Sequence, residues 1–263
     1  MTQKSTPSRT VTGRALAVLD TFDAKHRRQS LASIARRADL PLTTTHRLVH
    51  ELEKQDALVR GSDGDYEIGS KIWRLGMLAS VHADLREVAL PYMEDVYQLG
   101  SDAVQIAVLD GFRCLIVDRI AGSRSLEVMS KPGSRLPLHA TGVGKVLLAH
   151  GGSELQHAVF NSLDKFTDQT ITDPGLLESQ LKSIRTQGFA WTREELAEGA
   201  ISIAVPLRGK GGNVIAALGI VAPSDGRDLG KMVPVMQVTG AALSQKLVEV
   251  GLGETVRPQA EIN

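Results

Sequence analysis

The sequence predicts an α+β protein in which a small helical N-terminal domain precedes a larger domain built on an antiparallel sheet. The chain has 263 residues, more than one typical domain requires. Three helical patterns with one apolar face each fill residues 12–52. From Ala103 onward, short apolar runs are separated by turns such as Asp110-Gly111. Strands and helices do not alternate singly there, which favours an antiparallel sheet over a doubly wound parallel one.

Charge is distributed unevenly along the chain. The formal net charge is +0, from 30 Lys+Arg and 30 Asp+Glu. Residues 1–47 nevertheless hold nine Lys/Arg against three acidic residues, so this segment is basic and the remainder acidic. A basic lobe on a neutral protein is typical of a nucleic-acid-binding module joined to a second domain.

Three helices are expected in the basic lobe. The first covers about 12–24, and the second begins after Ser30, a favoured N-cap residue. The third begins at Pro41, in a first turn where a missing N–H costs nothing. Its apolar positions have the spacing i, i+3, i+4, i+7, which indicates one buried face: they are Thr45 (through its methyl group), Leu48, Val49 and Leu52.

The opposite face of the third helix is polar and basic, and it predicts a DNA recognition helix. Hydroxyl and basic groups donate hydrogen bonds to base edges and phosphates. The expected DNA-binding residues of this helix are Thr43, Thr44, His46, Arg47 and His50, and Arg36, Arg37 and Arg60 are expected at phosphates. His46 and His50 have the spacing of a zinc pair, but the glutamate of the protease motif is missing and Arg47 opposes a cation. No metal is therefore expected.

A β-hairpin is predicted directly after the third helix. Asp63-Gly64 separates two short alternating runs, a strong hairpin signal. The hairpin makes this domain a winged helix-turn-helix, expected over residues 10–70. A linker helix over 71–83 follows, then a second domain over 84–251, with disordered tails at 1–9 and 252–263. The apolar face of the linker suggests contact with another subunit.

The second domain carries a glycine-rich turn before a predicted helix at 142–150. Gly142-Val143-Gly144-Lys145 lacks the other residues of a phosphate-binding loop. Two readings stay open, a helix N-terminus that favours an anion and a plain glycine turn. Further helices are predicted at 154–161, 174–186 and 228–251, strands at 103–109, 113–120, 126–129, 189–192, 200–207 and 214–221, and a loop at 131–135.

No motif in the second domain predicts an enzyme or a cofactor. Cys114 lies in an apolar run and is expected to be a buried, inert thiol. Of the adjacent Glu194 and Glu195, we expect one to be solvated and one structural, since neighbouring side chains in a strand point apart. No signal peptide and no apolar stretch of membrane-spanning length is apparent. The expected location is cytoplasmic.

The chain resembles the IclR family of bacterial transcriptional regulators over roughly residues 10–250. The resemblance rests on Arg14–Leu19, Thr44–Leu48, Tyr66–Gly69, Pro137–Ala149, Glu194–Gly199 and Ile203–Pro206. It implies that the C-terminal domain is a GAF-like effector-binding domain. It also implies that the protein dimerises through its N-terminal region, pairs into tetramers through effector domains, and senses small metabolites, frequently carboxylates or aromatic acids.

The resemblance also implies an effector pocket around the glycine turn, the strand after Glu194-Glu195 and the last strand. The implied effector-binding residues are Val128, Leu136, Thr141, Gly142, Val143, Thr192, Ser202, Gly219 and Val221. Family members that bind small keto acids carry an acid, a cysteine and two serines where this chain has Thr192, Ser202, Gly219 and Val221. This departure favours a bulkier and more apolar acid.

Two functions remain open at this point. The first is a ligand-responsive, DNA-binding repressor or activator, with a repressor of a catabolic operon favoured. It would sense a small organic, possibly aromatic, acid and bind a pseudo-palindromic operator as a homodimer or homotetramer. The second is an enzyme or small-molecule binder whose helical N-terminus is a protein-interaction domain.

Overall fold

The computed structural model describes residues 10–23, 26–78, 82–122, 130–226 and 228–252. The chain divides into two compact units, one ending at Val81 and the other beginning at His82. The fold is the predicted α+β arrangement, with a winged helix-turn-helix in the first unit and a helix-covered antiparallel sheet in the second.

The N-terminal unit contains four helices and a two-stranded hairpin among its described residues. Their bounds are α1 Val11–Leu19, α2 Leu31–Ala38, α3 Leu42–Lys54, β1 Leu58–Arg60, β2 Tyr66–Ile68 and α4 Ser70–Met77. Ser30 caps α2 as predicted, since its side chain accepts a hydrogen bond from the Ser33 amide. Asp39 adopts a left-handed conformation (φ 54°) and turns the chain from α2 into α3.

The core of this unit is small and collects one face each of α1, α2 and α3. It contains Val18, Ile34, Leu48, Val49, Leu58 and Tyr66. Of the predicted inward residues of α3, Thr45, Leu48 and Val49 are buried, and Leu52 is partly buried against the same core. Burial of this apolar stripe fixes which side of α3 remains in solvent.

Two helix boundaries in this unit differ from the sequence prediction. The first helix ends at Leu19, where we expected it to continue to residue 24, because the amides of Thr21 and Phe22 bond to carbonyls three residues earlier and so leave the α-helical pattern. Pro41 is the N-cap of α3 and not its first turn: its extended backbone (ψ 140°) precedes the helix, and its carbonyl accepts from the Thr45 amide at 2.9 Å. The predicted linker helix is described as α4, while residues 79–81 lie outside the described residues.

The C-terminal unit is a six-stranded antiparallel sheet in the order β5-β4-β3-β8-β7-β6. The strands are β3 Ala103–Asp110, β4 Arg113–Ala121, β5 Arg135–Pro137, β6 Ala190–Arg193, β7 Ala200–Arg208 and β8 Val214–Pro223. The helices are α5 Ala83–Gln98, α6 Gly142–His150, α7 Ser153–Phe160, α8 Pro174–Gln187 and α9 Val233–Glu249.

Each face of the sheet packs on helices, because inward side chains alternate along every strand. One face packs on α5 and α9 through residues such as Met93, Ile106 and Leu243. The other packs on α6 and α8 through residues such as Val146 and Leu177. This second layer positions the N-terminus of α6 over the sheet.

Two predictions for this unit need correction. Arg135 was expected in a loop, but it begins the edge strand β5 by pairing with Leu115. The last helix was expected from residue 228, but a 3-10 turn at Leu229–Met232 precedes α9, whose first turn holds Pro234. The strand predicted at 126–129 lies outside the described residues. Among the described residues, we find no helix with the length and apolar character to cross a membrane.

Candidate nucleic-acid interface and effector cavity

The polar face of α3 lies on the surface of the N-terminal unit. Thr43, His46, Arg47 and His50 are exposed, and Thr44 is half-buried. The rings of His46 and His50 stack with their centroids 6.5 Å apart. All five residues predicted on this face are therefore turned away from the core that Leu48 and Val49 enter.

The three predicted phosphate-binding arginines have different environments. Arg36 is exposed and makes no ion pair within the described residues. Arg60 lies over the ring of Tyr66, 5.6 Å from its centroid, and remains exposed. Arg37 is engaged inside the domain, because it forms an ion pair with Asp23 at 2.7 Å and donates to the carbonyl of Thr21 at 3.1 Å. Arg37 thus joins α2 to the end of α1.

A further arginine, which the sequence analysis did not single out, holds the wing in place. Arg28 donates to both carboxylate oxygens of Asp63 at 2.8 Å. This contact ties the turn of the hairpin to the segment before α2. No sequence pattern indicates it, because the two residues are 35 positions apart.

A cavity of about 40 Å³ lies between the N-terminus of α6 and the sheet. That volume holds roughly three water molecules, at about 10–15 Å³ each. Its wall contains Gln105, Ser130, Leu136, Ala140, Thr141, Gly142, Thr192, Glu195, Leu196, Ala197, Ala200, Ile201, Ser202 and Val221. A larger molecule therefore requires the wall to move.

The turn into α6 allows a close approach to the sheet. Thr141 caps the helix by accepting from the Gly144 amide at 3.1 Å, and its hydroxyl donates to the carbonyl of Pro137 at 2.9 Å. A Cβ on Gly142 would lie 2.7 Å from the hydroxyl oxygen of Ser202. A Cβ on Gly144 would lie 2.7 Å from backbone atoms of Leu138. Glycine is needed at both positions by packing.

Polar side chains from different strands line this cavity. The hydroxyls of Thr192 and Ser202 are hydrogen-bonded across β6 and β7 at 2.5 Å. Gln105 lies on β3, two strands away from β7 in the sheet, and Gln105 and Ser130 are 4% and 1% exposed. The side-chain amide oxygen of Gln105 and the hydroxyl of Ser130 are buried without a hydrogen-bond partner among the described residues. A buried polar atom without a partner costs stability and calls for an explanation.

A buried ion pair forms part of the cavity wall. The Lys145 ammonium on α6 lies 2.6 Å from both carboxylate oxygens of Glu195. It also donates to the side-chain amide oxygen of Gln180 at 2.7 Å. Burial lowers the pKa of Lys145, and burial raises the pKa of Glu195. Their mutual attraction opposes both shifts. Glu195 is thus the structural carboxylate. Glu194 is half-buried and accepts from Ser224 at 2.5 Å, so our expectation that it would be solvated is wrong.

Most of the predicted effector-binding residues meet at this cavity. Leu136, Thr141, Gly142, Thr192, Ser202 and Val221 line it. Val143 and Gly219 pack against each other behind the wall, since a Cβ on Gly219 would lie 2.7 Å from a methyl of Val143. Val128 lies outside the described residues. Cys114 is buried, and burial raises its pKa to about 11, which fits an inert thiol.

Gln105 and Ser130 were not predicted as residues of the effector site. Gln105 interrupts an otherwise apolar strand, Ala103–Leu109, and that interruption was a usable signal. Ser130 gave none, because its position depends on the path of the chain before β5.

Comparison with known families matches both units of the chain. Residues 11–62 match the IclR helix-turn-helix domain. Residues 77–237 match the bacterial transcriptional regulator IclR C-terminal domain.

Curated relatives and solved structures are similar over nearly the whole chain. The transcriptional regulator XynR of Escherichia coli K12 is 29% identical over 240 residues, covering 89% of this chain and 95% of that protein. The repressor AllR of Salmonella paratyphi A is 31% identical, covering 80% and 79%. An IclR homolog from Microbacterium hydrocarbonoxydans, solved with 4-hydroxybenzoate, is 33% identical with a TM-score of 0.81, covering 90% and 99%.

Proposed function

Because the chain belongs to the IclR family of bacterial transcriptional regulators, we propose that it represses a catabolic operon in response to a small organic acid. The proposed target is a double-stranded, pseudo-palindromic operator in the cytoplasm. In this proposal the effector binds the C-terminal unit and changes the affinity of the N-terminal unit for DNA. Aromatic acids are among the candidate effectors. The protein carries out no catalysis in this proposal.

The observation that carries the proposal is the division of α3 into two faces. Thr45, Leu48 and Val49 are buried, and the exposed side presents Arg47 and two histidines. A helix with this division can enter a major groove while its other face stays packed in the domain. Arg47 is the residue suited to read guanine, since its guanidinium can donate two parallel hydrogen bonds to one base edge.

Apolar surface on α1, on α4 and at the residue that follows α4 supports a dimer. Trp73 is 66% exposed and Leu78 is 80% exposed, and Val11 and Leu16 are also in solvent. Large exposed apolar side chains of this kind mark interaction surfaces. A two-fold dimer would place two copies of α3 on the two halves of a pseudo-palindrome.

The cavity supports an effector-responsive unit. It combines apolar walls from Leu136 and Val221 with hydroxyls from Thr192 and Ser202, the composition of a small-molecule site. The relative crystallised with 4-hydroxybenzoate supports an aromatic acid as the effector class. Such a ligand alters DNA affinity only if it binds one state of the protein better than the other.

A gel-shift selection tests this proposal. Genomic fragments are incubated with the full chain, and retained fragments are titrated with aromatic and aliphatic acids. We expect specific, salt-sensitive retardation that one of the acids relieves. Absence of any specific retardation would reject the regulator and favour the alternative in which the N-terminal unit binds protein.

A further inference from the structure

The C-terminal unit contains a half-buried arginine, Arg119, that forms no ion pair among the described residues. Arg119 lies on β4, and its Nε and Nη2 atoms are buried without a hydrogen-bond partner among the described residues. Burial also lowers the pKa of Arg119, because the cation is held away from water. A buried charge with no partner costs stability, so its presence calls for a function.

The sheet register places this arginine beside the cavity. Arg119 pairs directly with Gln105 across β3 and β4, and residues opposite each other in such a pair share one face of the sheet. Gln105 lines the cavity, and its side-chain amide oxygen also has no hydrogen-bond partner among the described residues. The hydroxyl of Ser130, which also lines the cavity, likewise has no hydrogen-bond partner among the described residues. Two polar groups of the cavity wall and the adjacent arginine therefore have unused hydrogen-bonding capacity.

We propose that Arg119 binds the carboxylate of the effector and that Gln105 and Ser130 complete this end of the site. The inference rests on the proposed function, and it names the orientation and class of the ligand. Nε and Nη2 lie on the same side of the guanidinium, where two parallel N–H groups match the two oxygens of a carboxylate. The free atoms of Arg119 are those that such a pairing needs.

The cavity wall near the α6 turn is less suited to an anion. Thr141 already occupies the Gly144 amide at the start of α6, and a helix N-terminus offers only about half a positive charge. The Glu195 carboxylate is in the wall there. The hydroxyls of Thr192 and Ser202 bond to each other, so together they can still bond a neutral polar group. An anion site at the α6 turn was one of the two interpretations that the sequence left open; we infer instead that the carboxylate lies at Arg119.

The separation of Ser202 and Gln105 defines the ligand class. Ser202 on β7 pairs with Val221 on β8, and Val221 pairs in turn with Ala103 on β3. Gln105 lies two residues further along β3. With strands about 4.8 Å apart and about 3.4 Å of rise per residue, the backbones at Ser202 and Gln105 are roughly 12 Å apart. This span suits a single planar ring with a carboxylate at one end and a hydroxyl at the opposite end.

The first test needs no ligand. Urea unfolding of the full chain is compared for wild type, Arg119→Met and a control, Arg86→Met. Arg86 donates to the Asp118 carboxylate at 3.1 Å, and because Asp118 is only 16% exposed, removal of its partner should lower the midpoint. Arg119→Met should leave the midpoint unchanged or raise it, because it removes an uncompensated cation. A midpoint lowered as in the control would show that Arg119 has a structural partner, and would overturn the proposal.

The second test uses calorimetric titration of the full chain with 4-hydroxybenzoate and its neutral isostere 4-hydroxybenzamide. Wild type should bind the acid at least about tenfold more tightly than the amide, since charge-assisted bonds are the stronger ones. Arg119→Met should weaken acid binding by about thirtyfold or more, and amide binding by no more than about threefold. Arg119→Lys keeps the charge without the paired donors, and it should lie between the two.

The outcomes separate this inference from the proposed function. If Arg119→Met binds the acid like wild type, or loses acid and amide equally, Arg119 is not the carboxylate partner and the inference fails. Relief of operator binding by the acid in that variant would leave the proposed function intact. If wild type binds neither compound, the inference fails too, and operator retardation by the same preparation shows whether DNA binding survives.

Discussion

The polar face of α3 and the cavity of the C-terminal unit differ in how far their polar residues are exposed to solvent. His46 and Arg47 are exposed, where water satisfies them and a partner must displace that water. Lys145 and Glu195 are buried and bond each other at 2.6 Å, because a lone charge there would be costly. A substitution on the exposed polar face of α3 should therefore alter binding alone, whereas one at the cavity should alter stability, binding or both.

Loss of Lys145 should have the largest effect. Lys145→Met leaves the Glu195 carboxylate buried without its cation, which costs about 3–5 kcal/mol in comparable pairs. We expect urea unfolding to show this loss. The double variant Lys145→Met/Glu195→Leu should recover most of it, because no charge remains buried.

An exposed ion pair provides the control. Lys182 and Glu178 on α8 are 2.8 Å apart in solvent, and Lys182→Met should leave the unfolding midpoint unchanged. Equal effects of Lys145→Met and Lys182→Met would show that burial of the first pair does not determine its importance.

Substitution of Gly142 should abolish the effector response with a smaller loss of stability. Its Cβ would approach the Ser202 hydroxyl to 2.7 Å, so Gly142→Ala must displace that hydroxyl and Gly142→Val also fills the cavity. We expect Gly142→Val to bind the operator without relief by acid in a gel shift. Gly152→Ala is the matched control, since its Cβ meets nothing within 4 Å. A Gly142→Val protein that responds like wild type would place the effector elsewhere.

The contrast between the two regions also explains what the sequence could predict. Apolar residues recur along α3 with the period of a helix. For this reason Thr45, Leu48 and Val49 could be predicted as buried, and Arg47 as exposed, from the sequence alone. The Gly142 turn was likewise found from a local run of residues. Caps such as Ser30 and the hairpin around Gly64 are equally local signals.

The cavity is assembled from strands that are distant in sequence. Gln105 and Arg119 become neighbours only through the register of β3 and β4, and a bulge in that register makes the pairing unreadable from spacing alone. The Lys145–Glu195 pair joins residues 50 positions apart. For the same reason, the engagement of Arg37 with Asp23 was not predictable from the basic run in which it occurs.

Arg47 and Arg37 test this difference within one domain. Arg47→Ala removes an exposed side chain and should weaken operator binding by about 1–3 kcal/mol, with relaxed preference at one base pair. Its unfolding midpoint should stay that of wild type. Arg37→Ala should instead lower the midpoint, because Asp23 and the Thr21 carbonyl lose their partner. Fluorescence anisotropy on mutated operators, paired with urea unfolding, distinguishes the two. Unchanged affinity and base preference in Arg47→Ala would remove this residue from the interface.

The smallest expected effect is a pH dependence from buried histidines in the C-terminal unit. Burial lowers the pKa of His139 from its ordinary value of 6.5, against the opposing influence of the Asp164 carbonyl, which lies 2.9 Å from its Nε2. Below pH 6.5 and above the lowered folded pKa, the unfolded chain binds a proton that the folded chain does not. The free energy of unfolding should therefore fall as pH falls through this window. Burial also lowers the pKa of His150. His139→Gln should therefore reduce the slope of the unfolding free energy against pH, and His139→Gln/His150→Gln should reduce it further.

Urea unfolding at a series of pH values from 7.5 downward measures this slope. An identical slope in wild type and the double variant would assign the pH dependence to other groups.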